Sequence, residues 1–185
     1  RLIEESGNIS HGRNVGVKNS KSDIIAMIDA GCIAKPSWLQ KITEPLFNQG
    51  TYLEELDLSH NQLDTLPKEI ASWGASSLRK VDLSFNQLTN ILPVGNWRKA
   101  GIYDLNVSHN NLTTISKSTF PYLSNVTFLN LSSNHMNTIE AGSFSYFEQL
   151  EYLDLSKNEL MILGAYIFSP LRSLKRLDLS TNLLT

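Results

Sequence analysis

Apolar positions along this chain repeat with a fixed period. Between Leu53 and Leu184 the spacing L-x-x-L-x-L-x-x-N-x-L occurs six times. The copies begin at Leu53, Leu78, Ile102, Val126, Leu150 and Leu174, so the first step is 25 residues and the others 24. Every apolar slot holds an apolar residue, and the polar slot holds Asn61, Asn86, Asn110, Asn134, Asn158 and Asn182. A fixed period of this length predicts a stacked array in which no repeat buries its apolar face alone. Around the second and third apolar slots, as in Leu56-Asp57-Leu58, residues alternate inward and outward, which predicts a short strand with one buried face. Leu63 and Leu66 then return to the same core. Each Asn is placed at the corner where the chain leaves the strand, with donors and an acceptor to satisfy inward-pointing backbone groups.

Three copies add a phenylalanine at a constant place, Phe120, Phe144 and Phe168, followed three residues later by Leu123, Phe147 and Leu171. These residues are expected to wall the far side of each coil. The second copy departs there, with Trp97 and Gly101. Pro67 to Trp73 reads as a short helical turn on the outer side, and Pro93 to Trp97 as irregular.

The repeat pattern resembles the leucine-rich repeat family over about residues 53–185. Its 24-residue length with the extra Phe resembles the typical subclass found in animal ectodomains such as Toll-like receptors. The resemblance implies a solenoid with parallel strands on a concave face that binds protein or glycan partners.

Residues 1–50 do not follow the repeat. They read as strand, loop, helix, strand, loop, helix, with Arg13 to Ser20 and the segment opening at Pro36 as the helical parts. Ile24 to Ile28 is an apolar run of the kind found in buried parallel strands. Gly12-Arg13-Asn14-Val15-Gly16, Ser22-Asp23-Ile24-Ile25, Ile28-Asp29-Ala30-Gly31-Cys32 and Pro36-Ser37-Trp38-Leu39 together resemble a piece of a family 2 glycosyltransferase, over about residues 1–48. The resemblance implies a small incomplete Rossmann-like α/β segment in which Asp29 holds a divalent metal on a nucleotide sugar and Arg13 lies near the diphosphate. Gly31 stands where that family usually carries its second acid. The fold class expected for the whole is therefore α/β, with a six-repeat solenoid at 51–185 preceded by a glycosyltransferase-like fragment or improvised N-terminal cap at 1–50. Ile42 and Phe47 precede Leu53 by the same distances as Ile139 and Phe144 precede Leu150, which speaks for the cap, whereas Gly50 stands in the place of Phe147 and buries nothing, which speaks against it.

The outward columns of the expected sheet can be read directly. The first holds Glu55, Lys80, Asp104, Phe128, Tyr152 and Arg176. The second holds Asp57, Asp82, Asn106, Asn130, Asp154 and Asp178, and the third is serine throughout, from Ser59 to Ser180. The fourth, just past the strand, holds His60, Phe85, His109, Ser133, Lys157 and Thr181. Uniform columns are expected to be structural, so recognition is expected in the variable first and fourth. Lys80, Phe85, Phe128, Tyr152, Lys157 and Arg176 are the candidate ligand residues, because aromatic and Arg groups commonly anchor interfaces. His60 and His109 should lie about 10 Å apart at twice the strand spacing, too far to share a metal.

Composition changes this picture little. The 185 residues carry a net charge of −2, which gives no cue for nucleic acid. Cys32 is the one cysteine, so no intrachain disulfide forms. No apolar run is long enough to span a bilayer. Sequons occur at Asn8, Asn106, Asn111, Asn125 and Asn130, and the last four are candidate glycosylation sites that point to a secreted, ectodomain-like protein. The expected function is a non-enzymatic binding module, part of a larger protein or a chimera, with self-association through uncapped coil ends as a further possibility. The alternatives are a cytoplasmic enzyme using a nucleotide sugar with Mn²⁺ or Mg²⁺, or a scaffold with no function of its own. No catalytic residues are expected in the repeats, and no cofactor outside the glycosyltransferase-like reading.

Overall fold

A computed structural model of the chain describes residues 24–27, 53–66, 77–91 and 101–185. Nine strands lie within them: β1 Ile24–Met27, β2 Leu53–Asp57, β3 Lys80–Asp82, β4 Asp104–Asn106, β5 Thr114–Ile115, β6 Phe128–Asn130, β7 Thr138–Ile139, β8 Tyr152–Asp154 and β9 Arg176–Asp178. Seven form one parallel sheet in the order β1-β2-β3-β4-β6-β8-β9, and β5 pairs with β7 on a second, two-stranded sheet. The register matches slot to slot: Leu56, Val81, Leu105, Leu129, Leu153 and Leu177 are successive partners across the main sheet. This is the repeat solenoid that the period predicts.

The core runs along the axis of the coils. Leu58, Leu83, Val107, Leu131 and Leu155 are buried, as are Leu63, Leu88, Leu112, Met136 and Leu160. On the side away from the main sheet, Phe120, Phe144 and Phe147 are buried and touch ring to ring. Phe120 meets Phe147 at 5.7 Å edge-on, and Phe144 meets Phe168 at 5.8 Å. The expected outer wall is therefore present. In the last coil, with a neighbour on one side only, Leu177, Leu183 and Leu184 stay exposed.

The asparagines join the coils. Asn110 donates through Nδ2 to Val107 and Ser108 of its own coil and to Leu83 of the preceding one. Its Oδ1 accepts from the Leu88 N–H, again one coil back, at 2.9 Å. Asn86, Asn134, Asn158 and Asn182 repeat the arrangement, with Oδ1 accepting from Leu63, Leu112, Met136 and Leu160. Each carboxamide thereby satisfies backbone groups that the corner turns away from water.

Three expectations change. Among the described residues every regular element is a strand, and the returns between strands are turns, so the α/β class is not supported there. The helical readings at 13–20, 36–39 and 67–73 lie outside the described residues. The apolar run at Ile24 does form a parallel strand, but it pairs with β2, matching Ile25 to Glu55 and Ala26 to Leu56, and so extends the solenoid sheet. Local sequence specifies a parallel strand without specifying its neighbour. Finally, the serine column is not outward: Ser84, Ser108, Ser132 and Ser156 are buried where the chain curls inward after the strand.

Replacing Asn110 by Ala removes four hydrogen bonds and leaves buried backbone groups unpaired, at about 1–3 kcal/mol for each group left unsatisfied. Asn110→Ala is expected to lower the melting temperature more than Asn111→Ala, whose side chain is exposed. Equal melts by circular dichroism would show that the coils do not depend on this contact.

Candidate functional site: the open face of the main sheet

The open face of the main sheet carries the first two columns, and the fourth lines the edge where the strands end. The second column is structural throughout. Asp57, Asp82, Asn106, Asn130, Asp154 and Asp178 each accept, through Oδ1, the N–H of the serine two residues on, at 2.8–3.1 Å. These turns close the C-terminal ends of β2, β3, β4, β6, β8 and β9. Two Ser180 hydrogen bonds hold the Asp178 carboxyl below the usual carboxylate range. Asn106 also donates to Asp82 across the strand boundary at 3.1 Å.

The first column divides in two. At one end the Lys80 ammonium lies 3.2 Å from Glu55, and that hydrogen-bonded partner raises the lysine pKa. At the other end Phe128 and Tyr152 stack at 4.6 Å with their rings 1° from parallel, and the Arg176 guanidinium carbon lies 5.2 Å from the centre of the Tyr152 ring. The direct pairing of Phe128 with Tyr152 and of Tyr152 with Arg176 across parallel strands produces this stack. Tyr152 also donates its hydroxyl proton to Asp154 at 3.3 Å, and burial raises its pKa.

The fourth column has a backbone property that the sequence does not announce. His60, Phe85, His109, Ser133, Lys157 and Thr181 all sit at φ of 54–56°, in the left-handed region. In five of the six the N–H reaches the serine carbonyl of the next coil, as in His109 to Ser132 at 3.0 Å. This conformation is uncommon for residues other than glycine, and it aims all six side chains along one edge. There His60, Phe85 and His109 stack face to face, at 4.2 and 4.0 Å between ring centres. The two imidazoles thus come closer than twice the strand spacing suggests. Among the described residues no group of three or more His, Cys, Asp or Glu side chains is placed to hold a metal.

Of the predicted ligand residues, the structure brings Phe128, Tyr152 and Arg176 together. It ties Lys80 to Glu55 and places Phe85 between two histidines, with Lys157 two coils beyond His109 on the same edge. Arg13 and Asp29 lie outside the described residues. Asp104 was missed as more than a column member. It lies between Lys80 and Phe128 in the column, and burial pushes its carboxyl above the usual range against the pull of Lys80.

That shift generates a pH-dependent prediction. A raised folded-state pKa means that the folded chain holds the proton more tightly than the unfolded chain. The stability so contributed is present below the unfolded value and lost as pH rises through the folded one. Ionised Asp104 is thus a net cost at neutral pH. Asp104→Asn is expected to melt higher than the parent at pH 7, with the gap closing towards about pH 3, where both side chains are neutral. A gap that is absent at pH 7, or that widens as pH falls, would contradict this.

Known proteins share the repeat and the fold. The family model described as leucine rich repeat matches residues 37–91 and 100–160, more than half of the chain. Tsukushi from Gallus gallus is 45% identical over 53 residues, which cover 29% of this chain and 14% of Tsukushi. A chain in the glycosylated form of the Toll–Spatzle complex, described as a molecular hub in Drosophila development and innate immunity, superposes with a TM-score of 0.65 at 27% identity. The match covers 70% of this chain and 19% of that one. A second structure of the same complex gives 0.65 at 18% identity over 80% of this chain and 18% of the other, a likeness of fold alone. This chain therefore spans less than a fifth of each of these relatives. None of these matches supports the glycosyltransferase resemblance of residues 1–48 or the chimera it implied. With the asparagine ladder, the parallel sheet and the family match in agreement, the chain belongs to the leucine-rich repeat family.

Proposed function

We propose that this chain is a non-enzymatic protein-binding module of a secreted or extracellular protein, engaging its partner through the open face of the main sheet. The observation that carries the reading is the stack of half-buried Phe128 and Tyr152 with exposed Arg176 on the open face at the β6–β9 end. Aromatic rings and arginine supply most of the energy of protein interfaces when they are desolvated together. Their stacking holds these rings in place before a partner arrives, which lowers the entropy cost of binding. The Glu55–Lys80 pair at the other end is already mutually satisfied and offers register more than affinity. The Toll–Spatzle likeness supports a protein partner, because that relative is seen in a complex, and its glycosylated form supports a secreted setting. Residues 1–50 serve in this reading as an N-terminal extension of the repeat. The β1–β2 pairing supports that role, as does a family match that begins at residue 37.

Panning the bacterially expressed chain against displayed extracellular proteins supplies the direct test. Binders selected on the parent are expected to lose at least about 30-fold in affinity to Tyr152→Ala, which corresponds to about 2 kcal/mol. Lys80→Ala should change affinity by less than a few-fold. Binders indifferent to Tyr152 would place the interface elsewhere. If a nucleotide sugar with Mn²⁺ instead raised the melting temperature, the transferase reading would replace this one.

The extension role has its own readout. Residues 1–185 are expected to melt above residues 51–185, because β1 covers the edge of β2. Coincident melts would leave the first 50 residues without a part in the solenoid.

A further inference from the structure

We propose that N-linked glycans are carried at Asn111 and Asn125 and not at Asn106 and Asn130, although all four stand in N-x-S/T sequons. The inference rests on the extracellular setting proposed above, but its choice among sites comes from geometry.

Asn106 and Asn130 are half-buried members of the structural second column. Both side-chain atoms of Asn106 are engaged: Oδ1 accepts from the Ser108 N–H and Nδ2 donates to Asp82, each at 3.1 Å. Asn130 Oδ1 accepts from Ser132 at 3.0 Å. The two residues are direct partners across β4 and β6. Neighbouring strands lie about 4.8 Å apart, less than the width of a pyranose ring, so adjacent glycans would collide. A glycan on Asn130 would also lie beside Phe128 and cover the aromatic stack.

Asn111 and Asn125 present the opposite situation. Both are exposed, and neither side chain makes a hydrogen bond with the described residues. Asn111 follows the ladder residue Asn110, and only its backbone N–H is committed, to Leu88 at 2.9 Å. Asn125 lies in the turn three residues before β6. The first therefore stands beyond the C-terminal ends of the strands and the second before their N-terminal ends. Glycans there flank the sheet on two sides and leave its open face clear.

Transfer of the glycan precedes folding, so the folded state acts as a filter. A glycan on Nδ2 of Asn106 or Asn130 leaves the Oδ1 turn bond in place but must fit at a half-buried strand position against a directly paired neighbour. At Asn106 it also crowds the Nδ2 bond to Asp82. Chains modified at either residue are therefore expected to be depleted from the folded, secreted population. The full chain, expressed behind a secretion leader in animal cells, is released from its glycans by peptide N-glycosidase in ¹⁸O-water and analysed by peptide mass spectrometry. Labelled Asp is expected at Asn111 and Asn125 in most molecules, and at Asn106 and Asn130 in fewer than about one in ten. In a chain that also carries Asn8→Gln, so that the sequon at Asn8 does not contribute, Asn111→Gln with Asn125→Gln is expected to shift the secreted band to the mobility of deglycosylated parent. Ser108→Ala with Ser132→Ala, which removes both sequons and keeps the asparagine turns, should leave mobility unchanged. Substantial label at Asn106 or Asn130, or none at Asn111 and Asn125, would overturn the assignment. Partner binding is measured on unglycosylated bacterial protein, so failure of that reading is seen separately.

Discussion

The buried asparagine carboxamide is the contact on which every coil depends. After each strand the chain must turn sharply inward, and that turn points backbone carbonyls into a core of leucines. One short amide answers them with two N–H groups and returns an acceptor to the coil behind. The residue before it adopts a left-handed backbone to bring the amide into place, a strain of about 1 kcal/mol or more for a residue other than glycine. The N–H of that strained residue is held by the next coil. Strain in one repeat is thus offset by bonds to its neighbours, and a single repeat would have no reason to adopt the turn.

A second consequence follows from the constant step of 24 residues. Translation by one coil places each residue beside its counterpart, so a column of like residues becomes a stack. Acids would repel one another in this geometry. In the second column Asp57 faces Asp82 and Asp154 faces Asp178, but Asn106 and Asn130 separate the two pairs, and Asn106 donates to Asp82. Aromatic residues gain from the same geometry, which is why Phe128 with Tyr152, and Phe85 with two histidines, form near-parallel stacks.

The parts of this fold that were legible in the sequence are those that recur. Leu105 and Asn110 could be placed in the core from their slots, and Phe128, Tyr152 and Arg176 could be seen to adjoin, because the period alone dictates which residues are partners. The left-handed column was not legible. His, Phe, His, Ser, Lys and Thr share no side-chain property that marks such a backbone, which is imposed by the asparagine that follows. Burial of the serines was missed because strict alternation was carried one residue past the strand, to where the chain has begun to curl. At Ile24 the apolar run identified a parallel strand correctly. The resemblance of its surroundings to a different family finds no support, and the run itself carries no information about what it pairs with.

The location proposed for binding follows from how the columns distribute their unsatisfied chemistry. The second column commits side-chain oxygens to the turns, four of the six serines are buried, and Glu55 and Lys80 neutralise each other. What remains with unspent capacity is the aromatic–guanidinium stack on the open face and, along the adjoining edge, the exposed ring of Phe85. Both are rigid, because stacking immobilises the rings and a packed strand holds each backbone. A solenoid cannot close over a ligand as a hinged enzyme does, so its affinity must come from such preformed surface and from partners broad enough to span several coils. The macromolecular partner proposed above satisfies that requirement.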